Sequence, residues 1–130
     1  MSALLEDLQT VIQVSKNRTL VVIHYLAEFD PNLTIPLDKD DTLELTQHTE
    51  RLGEIGSKVT KEIGDAALMN WEFVITEATL ELLATIVDVI KAEDKLIRKM
   101  TFMPVEARHG FIQVGNNVIE LISQIVKEHG

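Results

Sequence analysis

The sequence predicts an all-α protein, a mainly antiparallel four-helix bundle with one extended crossing loop at about residues 30–41. Apolar residues recur at three- and four-residue steps along most of the chain. Two of the three prolines, Pro31 and Pro36, fall together in one stretch rich in turn-forming residues. No period-two run bounded by hairpin turns appears. At 130 residues and 45% hydrophobic, the chain has material for one core, and a single domain over residues 1–130 is expected.

The first helix is expected from about Ala3 to Phe29, with Ser2 as N-cap and Glu6 and Asp7 near the positive end of the helix dipole. Its predicted seam is Leu5, Leu8, Ile12, Ser15, Thr19, Val22, Leu26 and Phe29, with steps alternating between three and four. The stretch that follows carries Leu33, Ile35 and Leu37 between polar neighbours, so it is read as lying extended across the bundle. A capping-box spacing, Asp41-Thr42-Leu43-Glu44, starts the second helix. Leu45, Leu52, Ile55, Val59 and Ile63 form its narrow apolar stripe, with His48 on the same face.

An unbroken helix from Thr42 to Met100 would be roughly 90 Å long, too long for a compact domain of this size. The break is placed at Gly64, with the Gly53–Gly56 region and Asn70 as competitors. The third helix is then expected over about Ala66 to Met100. It is apolar over much of its circumference through Trp71, Phe73, Val74, Ile75, Leu80, Leu82, Leu83, Ile86, Val87, Val89 and Ile90. Such a helix is central or sits at a subunit interface. Pro104 opens a fourth helix whose stripe is Phe111, Val114, Val118, Ile122 and Ile125.

Composition narrows the function classes. Twelve Lys and Arg against twenty-one Asp and Glu give a net charge of −9, the wrong sign for counterion-release binding to nucleic acid or for docking to anionic lipid. There is no cysteine, so disulfides, thiolate metal sites and a cysteine nucleophile are excluded and a cytoplasmic setting is expected. The start Met1-Ser2-Ala3-Leu4-Leu5-Glu6 lacks the basic and apolar regions of a secretory signal. No charge-free run is long enough to span a membrane. No phosphate-binding glycine loop, nucleophile elbow or H-E-x-x-H motif occurs, so no enzyme activity and no cofactor are expected.

One motif carries metal chemistry. Glu106 and His109 have the Glu-x-x-His spacing that puts a carboxylate and an imidazole on one helix face, as in carboxylate-bridged di-iron bundles. Glu77 and Glu81 could add oxygen ligands, but the second Glu-x-x-His pair of such sites is missing. The bland reading makes Glu106 a helix-start residue, and Glu77 and Glu81 part of a solvated strip. His24 and Glu28, four apart, are read as a local ion pair.

The leading expectation is a non-enzymatic structural or protein–protein interaction module. It would self-associate as a homo-oligomer through the apolar third helix, with Trp71, Phe73, Phe102 and Phe111 as aromatic anchors. The alternatives are a metal-binding bundle using Glu77, Glu81, Glu106 and His109, or an acidic inhibitor or decoy facing a basic partner.

Overall fold

A computed structural model describes residues 3–29, 39–101 and 103–130, with side chains for all of these except 25–29 and 39–42. Residues 30–38 of the predicted crossing loop, Ser2 and Phe102 lie outside the described residues, as do the side chains of Leu26, Glu28, Phe29 and Asp41, while residues 39–41, predicted as loop, belong to the second helix. The described residues form a bundle of four helices with no strand: α1 (Ala3–Phe29), α2 (Lys39–Leu68), α3 (Glu77–Lys99) and α4 (Val105–His129). None of them is long and apolar enough to cross a membrane.

The helices run mainly antiparallel. Lys95 Nζ lies 3.1 Å from Glu44 Oε2 at one end of the α2–α3 pair, and the Thr76 hydroxyl donates to Glu62 at 2.6 Å at the other. Arg18 of α1 meets Glu93 of α3 and Phe111 of α4, while Ala3 and Leu4 share a groove with Phe73 and His129. α1 is therefore parallel to α3 and antiparallel to α4. Close backbone approach joins α2 to α3, α1 to α4, α3 to α4 and α1 to α3; α2 comes within 8 Å (Cα–Cα) of neither α1 nor α4 among the described residues. α3 is thus the central helix, and its buried set runs from Thr79 through Leu82, Leu83, Ile86, Val89 and Ile90 to Leu96 and Ile97.

The long middle region breaks at Asn70, and not at Gly64. Asn70 has φ 55°, its N–H donates to Ala67 O, and the Trp71 N–H reaches back to Ala66 O. This pair of bonds is a Schellman motif, which satisfies carbonyls that the helix end would otherwise orphan. Asparagine tolerates the left-handed conformation that the motif requires. Gly64 stays helical because a glycine inside a helix costs only about 1 kcal/mol relative to alanine. Burial of Val59 and Ala66 and partial burial of Ile63 on either side offset that cost.

The third helix therefore starts eleven residues later than predicted, at Glu77. Thr76 is its N-cap: the Thr76 hydroxyl accepts from the Thr79 N–H, and the Thr79 hydroxyl accepts from the Thr76 N–H. The same Thr76 hydroxyl donates to Glu62, which ties the end of α2 to the start of α3. Trp71, Phe73, Val74 and Ile75, read from sequence as helical, lie in the connection between the two helices. At the other boundary, α2 begins at Lys39, two residues before the predicted start.

Within α1 the seam keeps its predicted period with a shifted phase. Leu4, Leu8, Val11, Ser15, Arg18 and Val22 are buried, whereas Leu5, Ile12 and Thr19 flank them half-buried. In α4 the buried stripe is Phe111, Gly115, Val118, Ile122 and Ile125, with Gly115 in the place expected for Val114.

Replacing Asn70 by Val forces a β-branched side chain into the left-handed region and should lower unfolding free energy by roughly 1–2 kcal/mol. Asn70→Gly should stay within a few tenths of native. Urea denaturation of both variants checks this, and equal losses would exclude the conformational explanation.

Candidate functional site

The sequence offered Glu77, Glu81, Glu106 and His109 as metal ligands, and the fold does not bring them together. Glu77 and Glu81 open α3, Glu106 and His109 open α4, and these two helices are antiparallel, so the pairs sit at opposite ends of the bundle. All four side chains are exposed. Among the described residues, no three His, Asp or Glu side chains are grouped so as to hold a metal ion. His48 is half-buried on α2 with its Nε2 3.7 Å from Glu44 Oε1.

A different set of polar residues is brought together inside the bundle. Arg18 of α1 is only 3% exposed. Its Nη1 donates to Glu93 Oε1 at 3.1 Å and its Nη2 to Asp94 Oδ1 at 2.6 Å. Glu93, fully buried on α3, also accepts from the Thr19 hydroxyl at 2.7 Å through Oε2. The guanidinium lies over the Phe111 ring, 3.9 Å from its centre, a cation–π arrangement. Arg18 Nε makes no hydrogen bond among the described residues.

This cluster fits because α4 carries glycine at position 115. A Cβ there would lie 2.7 Å from Arg18 Nη2 and 3.0 Å from Ile90 Cγ2, so only the bare backbone leaves room for the guanidinium. Two carboxylates share one cation in this low-dielectric layer. Burial raises the Glu93 carboxyl above its ordinary range against the opposing pull of the Thr19 hydrogen bond and the Arg18 charge, and the Asp94 charge pushes it further up. Burial also raises Asp94, although Arg18 and Arg98 work the other way. Glu93 is enclosed and Arg18 nearly so, so no substrate atom reaches their charged groups without opening the bundle. The arrangement acts on helix placement and on protons.

The cluster's signal in the sequence was Arg18 standing at a seam position. Leu4, Leu8, Val11, Ser15, Arg18 and Val22 continue one 4-3 alternation, and Glu93 takes the helical seam position between Ile90 and Ile97. A seam that excludes charged residues passes over this register.

The aromatic candidates divide. Phe73 and Phe111 are buried within the chain's own core, while Trp71 is 65% exposed. Trp71 has exposed apolar company in Leu68 at 84%, Val74 at 61% and Met69 at 54%. These residues form the end of α2 and the connection to α3. Beside them lies a half-open groove of about 320 Å³ lined by Ala3, Leu4, Glu72, Phe73, Val74, Ile75 and His129.

Gly115→Ala should lower stability by about 1–3 kcal/mol through overpacking against Arg18 and Ile90. Gly110→Ala, where an added methyl meets nothing within 4 Å, should raise it by up to about 1 kcal/mol. Urea midpoints of the pair test the close approach, and a neutral Gly115→Ala would refute it.

The raised carboxyls also set a pH dependence. The native state holds these protons more tightly than the unfolded chain does. Their contribution to stability is full below the ordinary carboxyl pKa, about 4, and declines as pH rises through the window up to the raised values. Glu93→Gln keeps the shape and can keep the bonds. Its carbonyl can accept from Arg18 and its amide can donate to Thr19, whose hydroxyl is 3.2 Å from Ser15 O. Chemical denaturation across pH 4–8 should show a shallower decline in Glu93→Gln than in the native chain; parallel curves would remove Glu93 from the account.

No protein-family model, no curated protein and no solved structure matches the chain.

Proposed function

We propose that the chain is a non-enzymatic structural or protein–protein interaction module, a single domain working in the cytoplasm, that self-associates through the apolar end formed by Leu68, Met69, Trp71 and Val74. The observation that carries this reading is the exposure of these four large apolar side chains within seven residues. Exposed apolar residues scattered singly are ordinary, but a concentrated group marks a contact surface.

The same reading follows from how the apolar middle of the chain divides. The part from Leu82 to Ile97 is covered by the other three helices, so its apolar face is already satisfied. What remains for a partner is the part ahead of α3. It is also nearly free of charge, since Glu72 is its one ionisable residue from Leu68 to Ile75. In a chain of net charge −9, two copies repel least where they meet through such a segment.

Size-exclusion chromatography with light scattering over a wide range of loading concentrations tests the proposal. A dimer or higher oligomer that dissociates on dilution is expected, and association should strengthen as added salt screens the like charges. A monomer mass at every concentration and salt level would end this reading.

A further inference from the structure

We propose that the buried polar layer is a one-proton latch, in which Glu93 carries a proton on Oε2 and donates it to the Thr19 hydroxyl, Asp94 is the carboxylate that neutralises Arg18, and loss of the proton releases α1 from α3. The count of hydrogens leads to this assignment. Thr19 Oγ1 has two oxygens in hydrogen-bond reach, Ser15 O at 3.2 Å and Glu93 Oε2 at 2.7 Å, and a hydroxyl has one hydrogen to give. A backbone carbonyl has none, so both contacts are hydrogen bonds only if Glu93 brings the second hydrogen. The relay then runs from Glu93 to Thr19 and from Thr19 to Ser15 O.

The two contacts of Arg18 divide the acids the same way. Nη2 lies 2.6 Å from Asp94 Oδ1, shorter than is usual even for a charge-assisted bond, whereas Nη1 lies 3.1 Å from Glu93 Oε1, a length ordinary for a neutral acceptor. Exposure ranks them alike. The Asp94 side chain keeps 15% of its surface open and Glu93 none, so water helps only Asp94 to bear a charge. With Arg18 and Asp94 ionised and Glu93 neutral, the layer has no net charge; ionising Glu93 leaves two anions to one cation.

The surrounding helices do not supply a second cation. Arg18 of α1 and Asp94 of α3 are the charges that act on Glu93, and the exposed Arg98 acts on Asp94. α4 presents the Phe111 ring and Gly115, with Arg108 about one turn before Phe111 as the next charge along that face. On α2, Glu44 pairs with His48 and with Lys95 near the surface. Burial raises the Glu93 carboxyl, so the latch is closed at low pH and opens as pH rises through that raised value. α1 approaches α3 less extensively than it approaches α4, so the contact with α3 gives way first.

Infrared spectroscopy of the full chain reads the proton directly as a carboxylic-acid C=O band, and hydrogen exchange by NMR reads the latch. At about pH 6, where exposed carboxyls are ionised, the native chain should keep one acid band. Isotopic labelling of the glutamate carboxyls should shift this band, labelling of the aspartates should not, and the isosteric variant Glu93→Gln should lack it. In Asp94→Asn the whole of Arg18 is left to Glu93, so the midpoint of the band should fall by about one pH unit or more. Amide protection over residues 15–22 should drop through the midpoint of the native band and stay level across that window in Glu93→Gln. The absence of an acid band at that pH, or a band that moves with aspartate labelling, overturns the assignment without recourse to either variant. Protection of residues 15–22 that ignores the midpoint of the band overturns the latch.

Discussion

The burial of Arg18 against Glu93 and Asp94 is the constraint on which the arrangement of the helices depends. An unpaired charge in a helix-packed interior is costly enough that breaking such a pair by removing one partner typically loses about 3–5 kcal/mol. α1 can therefore dock only where Arg18 meets both carboxylates, with Thr19 beside Glu93 and Gly115 opposite. Apolar seams tolerate slippage by a turn at modest cost, since one leucine replaces another. A single buried guanidinium with two addressed donors does not.

The cluster also divides the core. On one side lies the larger apolar group, with Leu4, Leu8, Val11, Ile86, Ile90, Val118 and Ile122; on the other lies a smaller one, with Val22, Leu96, Ile97, Met100, Met103 and Phe111. The polar layer contributes little net stability, because desolvation consumes most of the Coulomb gain, and the two apolar groups supply the driving force. Their burial holds the helices together, while the polar layer determines which alignment is held. The raised carboxyl pKa values express the same balance, since burial outweighs the attraction of one cation for two acids.

Helical class, helix number and the period of the seams of α1, α2 and α4 were legible in the sequence, because periodicity reports burial directly. The phase of α1 and the break between α2 and α3 were misread, for two physical reasons. The predicted seam passes over Arg18, and the partners that stabilise its burial lie 75 and 76 residues away, beyond any local pattern. Gly64 was placed as the break, a helix-ending glycine followed by Asp65, whereas the end of α2 is set by Asn70 in a left-handed turn and the start of α3 by Thr76 and Thr79 capping each other. Threonine at the fourth position of that cap replaces the glutamate by which a capping box is usually found. The metal candidates failed to assemble for a topological reason: residues that each open one of two antiparallel neighbours end up at opposite ends.

The pin at Arg18 and the exposed end are linked through the stiffness of α1. From Arg18 back to Leu4 is 14 residues of unbroken helix, a lever of about 21 Å. Leu4 and Ala3 form one wall of the groove, and the connection after α2 and His129 form the rest. Slipping α1 by one residue would shift that wall by about 1.5 Å and turn it by roughly 100°, replacing Leu4 with a different side chain. The buried charges, remote from the surface, thus decide which residues the groove presents. A layer that adds little to stability can thus still fix the shape of a distant surface: it holds the α1 wall in the one alignment that sets Leu4 beside Phe73 and His129.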